Sequence, residues 1–277
     1  VAGRLRWSVL HGYASFEPAT LGIDRCHHGT QPDVFPFCET CGFRSPVMEE
    51  HACQSFIIPT QGVRLKGDLT VPNKARGVVL FAHGSGSSRL SNRNRSVARM
   101  LNEHGLATLL MDLLTTEEDG VDRLTQQYRF DIPMLARRLV GAVDWLAENH
   151  STRGLPIGLF GASTGAAAAL IAAAVRARQV AAVVSRGGRV DLAGNALPKV
   201  LVPTLLIVGA HDQEVLALNH DARDRMKAPT DLRVISGAGH LFEEPGTLAQ
   251  VAQVACHWFE KHLSMRRVKD HDARHPC

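Results

Sequence analysis

Alternating strand-like and helix-like segments over most of the 277 residues predict an α/β fold, a doubly wound and mostly parallel sheet with helices on both faces. Two observations carry that expectation. Short apolar runs recur: GVVLFA (77–82), ATLLMD (107–112), PIGLF (156–160), VAAVVS (180–185), PTLLIVG (203–209) and LRVIS (232–236). Each is continuous rather than alternating, the pattern of parallel strands covered on both sides. Between them, 92–104, 133–148, 164–176, 215–226 and 246–262 follow a helical period. Alternation of this length builds a parallel sheet through right-handed crossovers.

The elements can be taken in order. Residues 1–54 mix Gly, Pro, His, Cys and scattered aromatics without sustained periodicity, and read as an irregular extension. Residues 55–59 and 63–71 read as a strand pair joined at Gln61-Gly62, with a turn at Asn73-Lys74. The α/β domain is expected over 55–263 and a tail over 264–277. Ligands of such sheets bind at the carboxyl ends of the strands, so the loops there carry the functional question.

Composition excludes several classes. A formal charge of +4 is small for this length, and part of the basic excess lies near the ends, at Arg4, Arg6, Arg266, Arg267 and Lys269. No basic face follows a phosphate backbone, so nucleic acid is not an expected partner. The most apolar run, AAAALIAAAV (166–175), is about half of what a bilayer requires. No secretory signal is visible and the cytoplasm is the expected compartment. Oligomeric state is not legible.

After PIGLF comes Gly161-Ala162-Ser163-Thr164-Gly165 and then an alanine-rich helix. GxSxG alone is a weak signal; between a buried strand and a helix it marks a turn that lifts Ser163 above the sheet edge as a nucleophile. The bland alternative is a glycine turn that happens to contain serine. Serine needs a base to take its proton. His240 follows the last strand on the loop Gly237-Ala238-Gly239-His240, where a base is expected; His220, His257, His262, His271 and His275 fall on helix faces or the tail. Asp212, after PTLLIVG, is the expected acid that orients His240, with Glu214 and Asp191 as rivals. The chain order Ser163, Asp212, His240 fits the strand–turn–helix setting.

Negative charge on the attacked carbonyl needs backbone donors. One is expected from Thr164 N–H. The other is expected from His83-Gly84-Ser85-Gly86-Ser87-Ser88, with Ser85 preferred and Gly84 and Gly86 as near alternatives. That loop lacks both the Walker lysine spacing and GxGxxG, which argues against a phosphate cradle. The polar, acidic stretch 113–128 is expected as a loop forming one pocket wall. Arg186 and Arg189, after VAAVVS, are candidate substrate contacts toward a carboxylate, or else surface residues.

Together GDLTVP, VVLFAHGSGSSRLSNRNRSVARMLN, GLATLLMDLLT, GLFGASTGAAAAL, VVSRGGRVDLAG, PTLLIVGAHD and GAGHLFEEPG resemble the dienelactone hydrolase family of the α/β-hydrolases. The resemblance runs from about 67 to 263. It implies an α/β-hydrolase fold, no bound cofactor and hydrolysis of small esters or lactones, with Ser163, Asp212 and His240 as the triad. One departure stands out: dienelactone-cleaving members carry cysteine as nucleophile, whereas this chain carries serine. A general serine carboxylesterase acting on small-molecule esters is therefore the leading expectation. A lactonase or thioesterase on the same triad is the first rival, and a binding protein that keeps the fold without catalysis is the second.

The N-terminal CxxC at Cys38 and Cys41, with Cys26 and Cys53 nearby, supplies weak zinc candidates. The second CxxC of a common finger is missing, so no metal is assigned; a disulfide or an unstructured extension would use the same residues.

Overall fold

Each apolar run becomes a strand, and the structure, a computed structural model, describes residues 52–263. The 264–277 tail and most of the 1–54 extension, including Cys26, Cys38 and Cys41, lie outside the described residues. Strands β1 (Cys53–Thr60) and β2 (Val63–Thr70) form a hairpin. Its turn has positive φ at both Gln61 (46°) and Gly62 (78°), the handedness that matches strand twist. Then follow β3 (Val78–Ala82), β4 (Ala107–Met111), β5 (Ile157–Ala162), β6 (Val180–Arg186), β7 (Thr204–Gly209) and β8 (Thr230–Ile235). The eight strands are ordered β1-β2-β4-β3-β5-β6-β7-β8, with β3 through β8 mutually parallel and β2 antiparallel to both of its neighbours, β1 and β4.

The helices are α1 (Asn92–Glu103), α2 (Thr116–Thr125), α3 (Ile132–Glu148), α4 (Thr164–Val175), α5 (Gln213–Arg225) and α6 (Thr247–His262). They sort by sheet face. Val78, Leu80 and Ala82 of β3 point toward α3 and α4, while Val79 and Phe81 point toward α1 and α6. A period-2 division is thus hidden inside the continuous apolar run of β3, because both faces are dry, whereas edge strand β8 is partly exposed. Phe81 and Phe160 meet at 4.8 Å between ring centroids beneath α1 and α6. Burying one such side chain stabilises by about 1.5–3 kcal/mol.

One segment differs from expectation. The stretch 113–128 holds a helix, α2, rather than a loop. Its start is a capping box: Thr115 Oγ1 accepts the Glu118 N–H at 3.2 Å, and Glu118 Oε2 accepts the Thr115 N–H at 2.8 Å. The segment after β6 forms 3-10 turns over Val190–Lys199, broken where Gly194 takes φ 53°. Among the described residues, no helix is long and apolar enough to cross a membrane.

Candidate active site

The turn between β5 and α4 carries Ser163 at φ 50°, ψ −122°, a conformation that costs a non-glycine residue on the order of 1–3 kcal/mol. Neighbouring strands hold it there. Ser163 N–H donates to the Arg186 carbonyl at 3.2 Å, and the Ser163 carbonyl accepts from Arg189 N–H and Ala166 N–H, both at 3.1 Å. The flanking glycines are sterically required. A side chain at Gly161 would collide with Ala166, and one at Gly165 with the carbonyl oxygens of Ala82 and His83. α4 can therefore sit directly on the sheet, with nine of its twelve residues buried and most of them alanine. Its first N–H groups, Thr164 among them, point toward the site without intrahelical partners.

His240 and Asp212 meet across the ends of β7 and β8. His240 Nδ1 lies 2.6 Å from Asp212 Oδ2, and the Asp212 side chain is only 13% exposed. Two backbone bonds align the two loops, Ala210 N–H to Ile235 O (2.9 Å) and His211 N–H to Ala238 O (2.9 Å), and Asp212 N–H to Gly209 O (3.0 Å) closes the turn that carries the acid. A carboxylate on Nδ1 selects the tautomer with hydrogen on Nδ1 and a lone pair on Nε2. Beyond the histidine, Gly239 N–H donates to Glu244 Oε1 at 3.0 Å and Arg93 pairs with Glu243 at 2.7 Å. Between these ties Phe242 is buried at φ 56°. Gly187 packs against His240, where a Cβ would lie 3.6 Å from His240 Cε1. Among the described residues no hydrogen bond joins His240 to Ser163; such contacts are often long before substrate binds. Of the rival acids, Glu214 is exposed and Asp191 is held by Arg189 at 2.8 and 2.9 Å.

The loop after β3 carries the candidate second donor. Ser85 N–H donates to Thr164 Oγ1 at 3.0 Å, so that amide is already engaged. Gly84 lies against the candidate nucleophile: a Cβ there would be 3.0 Å from Ser163 Cβ. Its N–H has no partner among the described residues. His83, singled out only as part of this loop in the sequence, anchors it. His83 Nδ1–H donates to the Gly84 carbonyl at 2.9 Å, and Nε2 accepts the Leu113 N–H at 3.0 Å. Burial pushes the His83 pKa down, which keeps the ring neutral and able to accept. A histidine directly after an all-buried strand was the available signal.

One side of the site is walled by the α2 segment. A crevice runs between His83, Gly84, Ser85, Leu113, Arg129 and Thr164. Buried Asp122 accepts from Tyr128 N–H (2.8 Å), Arg129 N–H (3.0 Å) and Arg129 Nε (2.6 Å), which fixes the end of this wall. Burial alone would raise the Asp122 pKa, but these bonds hold it below the usual carboxylate value. Arg138 braces the other end, paired with Glu118 at 2.6 Å.

Of the candidate substrate contacts, Arg189 is committed to Asp191, while Arg186 is buried with no such partner. Cys53 is an exposed free thiol, and no described group of His, Cys, Asp or Glu could hold a metal ion.

Comparison with known proteins fits this architecture. The dienelactone hydrolase family model matches residues 65–267. A dienelactone hydrolase structure from Anabaena variabilis is 56% identical, covering 77% of this chain and all of that one, with a TM-score of 0.75. Est1E from Butyrivibrio proteoclasticus shares the fold at 16% identity and a TM-score of 0.63, covering 75% of this chain and 98% of that one. In two strains of Mycobacterium tuberculosis, a relative carrying the provisional name phosphoribosyl transferase is 57% identical over 201 residues. That match takes in 73% of this chain but only 44% of the relative, so the chain spans less than half of that protein's length. With its fold and most of its length matched, the chain belongs to the dienelactone hydrolase family.

Proposed function

We propose that this protein is a serine hydrolase that cleaves small carboxylic esters through an acyl-enzyme. The observation that carries the reading is the strained Ser163, raised at the positive end of α4 beside an imidazole already oriented by Asp212. Ser163 Oγ attacks the ester carbonyl carbon as His240 Nε2 takes its proton. Thr164 N–H and Gly84 N–H donate to the oxyanion, Gly84 replacing Ser85, whose amide serves Thr164 Oγ1. The tetrahedral intermediate collapses, the carbon–oxygen bond to the leaving group breaks, and His240 returns the proton to the departing alkoxide. Water then repeats the sequence on the acyl-enzyme and releases the acid. Asp212 stays ionised throughout and stabilises the imidazolium. Serine in place of the cysteine expected for dienelactone cleavage makes the oriented base indispensable, since a hydroxyl is not nucleophilic without one.

A lactonase or thioesterase would use the same residues, and a substrate panel separates them. The transferase name of the mycobacterial relative belongs to a protein more than half of which lies outside the match. The test is turnover of an aryl-ester series, with lactones and thioesters beside it, by the native protein and by Ser163→Ala. Native turnover with a folded mutant slower by ~10³-fold or more is expected. Equal rates would remove Ser163 from the mechanism, and an inactive native protein would favour a non-catalytic binding role.

A further inference from the structure

Arg186 ends β6 and its carbonyl holds the Ser163 N–H, so it is built into the nucleophile turn. Its side chain lies on the Val184 side of the strand, the face covered by α1 and α6. It is 8% exposed, Nη1 is sealed from solvent with no hydrogen-bond partner, and no described carboxylate lies within 4.0 Å. Among the described residues the other buried arginine, Arg138, shows the usual arrangement, with both terminal nitrogens on the Glu118 carboxylate. The charge that Arg186 feels is instead the like charge of Arg93, whose own partner, Glu243, is 65% exposed. Burial first, and Arg93 second, bring the Arg186 pKa down to about 10, which still leaves it cationic at neutral pH. A buried, charged and unpaired guanidinium is expensive unless a counter-charge completes it.

We infer that Arg186, flanked by Arg93, is a binding site for one carboxylate group, placed between the nucleophile turn and the His240 loop. A planar guanidinium accepts such a group through two parallel hydrogen bonds. The carboxylate can be a free small anion or a second, non-reacting carboxylate on the ester. Only the latter source rests on the hydrolase reading.

The test uses the full chain. Thermal melts are followed as sodium acetate replaces sodium chloride at constant ionic strength, for native protein and Arg186→Gln. The kcat/KM ratio between a hemisuccinate aryl ester and its neutral acetate counterpart is measured for both. A saturable rise in the native melting temperature, absent from Arg186→Gln, establishes a free-anion site. A selectivity ratio that falls by ~10-fold or more in the variant, one lost charge-assisted contact, establishes the substrate source. Should Arg186→Gln not fold, Arg186→Lys, which keeps charge but loses the fork, replaces it. No acetate-dependent shift together with no preference of native protein for the anionic ester overturns the proposal. An acetate-dependent shift in a protein that hydrolyses neither ester would sink the hydrolase reading and leave the anion site standing.

Discussion

At the scale of single residues, the account turns on how Ser163, His240 and Asp212 are held. Ser163 keeps an unfavourable backbone conformation because α4 and the end of β6 grip both sides of its peptide units. In the proposed mechanism Asp212 acts through Nδ1 of His240, so Asp212→Asn should lower kcat by roughly 10³–10⁴-fold, as expected when the tautomer is lost. Steady-state kinetics beside a thermal melt checks this; an unchanged kcat in a folded variant would contradict it. In the same mechanism His83 positions the loop that supplies the oxyanion donor. His83→Ala leaves the Leu113 N–H and Gly84 carbonyl without their partner, and should destabilise by about 1–3 kcal/mol in urea titration while lowering kcat more than it raises KM. Ser163, Asp212 and His240 were legible as candidates because each follows a strand of the parallel sheet, in the order nucleophile, acid, base. The choice between the Ser85 and Gly84 amides was not, since it depends on a hydrogen bond to Thr164 Oγ1 that no spacing reveals.

At the scale of elements, the strands were legible to within a residue or two because their runs are continuous and apolar. α2 was not, since its polar, glycine-containing sequence lacks an apolar stripe. Its stability comes from the Thr115–Glu118 capping box and from a carboxylate reaching across to α3. Glu118 therefore serves both its own helix start and Arg138, which also donates to the Leu113 carbonyl. Glu118→Ala strands a guanidinium that is 4% exposed, and a loss of about 3 kcal/mol is expected. Equilibrium unfolding measures it, and the double variant Glu118→Ala/Arg138→Met should recover part of the loss. No recovery would show that the capping box, rather than the buried charge, dominates.

For the whole molecule, the buried titratable groups combine to set acid stability. The His83 pKa is lowered by burial from its ordinary 6.5, so below that pH the unfolded chain takes up a proton that the folded protein resists. Stability therefore begins to fall as pH drops under about 6.5. Glu118 and Asp122 lie below their ordinary values of 4.5 and 3.8, because Arg138, Thr115, Arg129 and Tyr128 outweigh the effect of burial. Their contributions, present above those values, are lost as pH falls further through the folded pKa values. Denaturant midpoints across this range should decline in two stages, and His83→Gln should flatten the upper one. A midpoint indifferent to pH between 6.5 and 4.5 would contradict the assigned role of His83. The same stacking of helices on both faces that buries these groups brings the ends of β5, β6, β7 and β8 together as one rim. The sheet order places Ser163 after β5, Asp212 after β7 and His240 after β8 on that rim, although they are far apart in sequence.

The central claim is that Ser163 becomes covalently acylated, and intact-mass measurement on protein mixed with an activated aryl ester and quenched in acid addresses it most directly. The account predicts one added acyl group that maps by peptide fragmentation to Ser163 and is absent from Ser163→Ala. An acyl group on any other residue, or ester turnover by Ser163→Ala at the native rate, would contradict it.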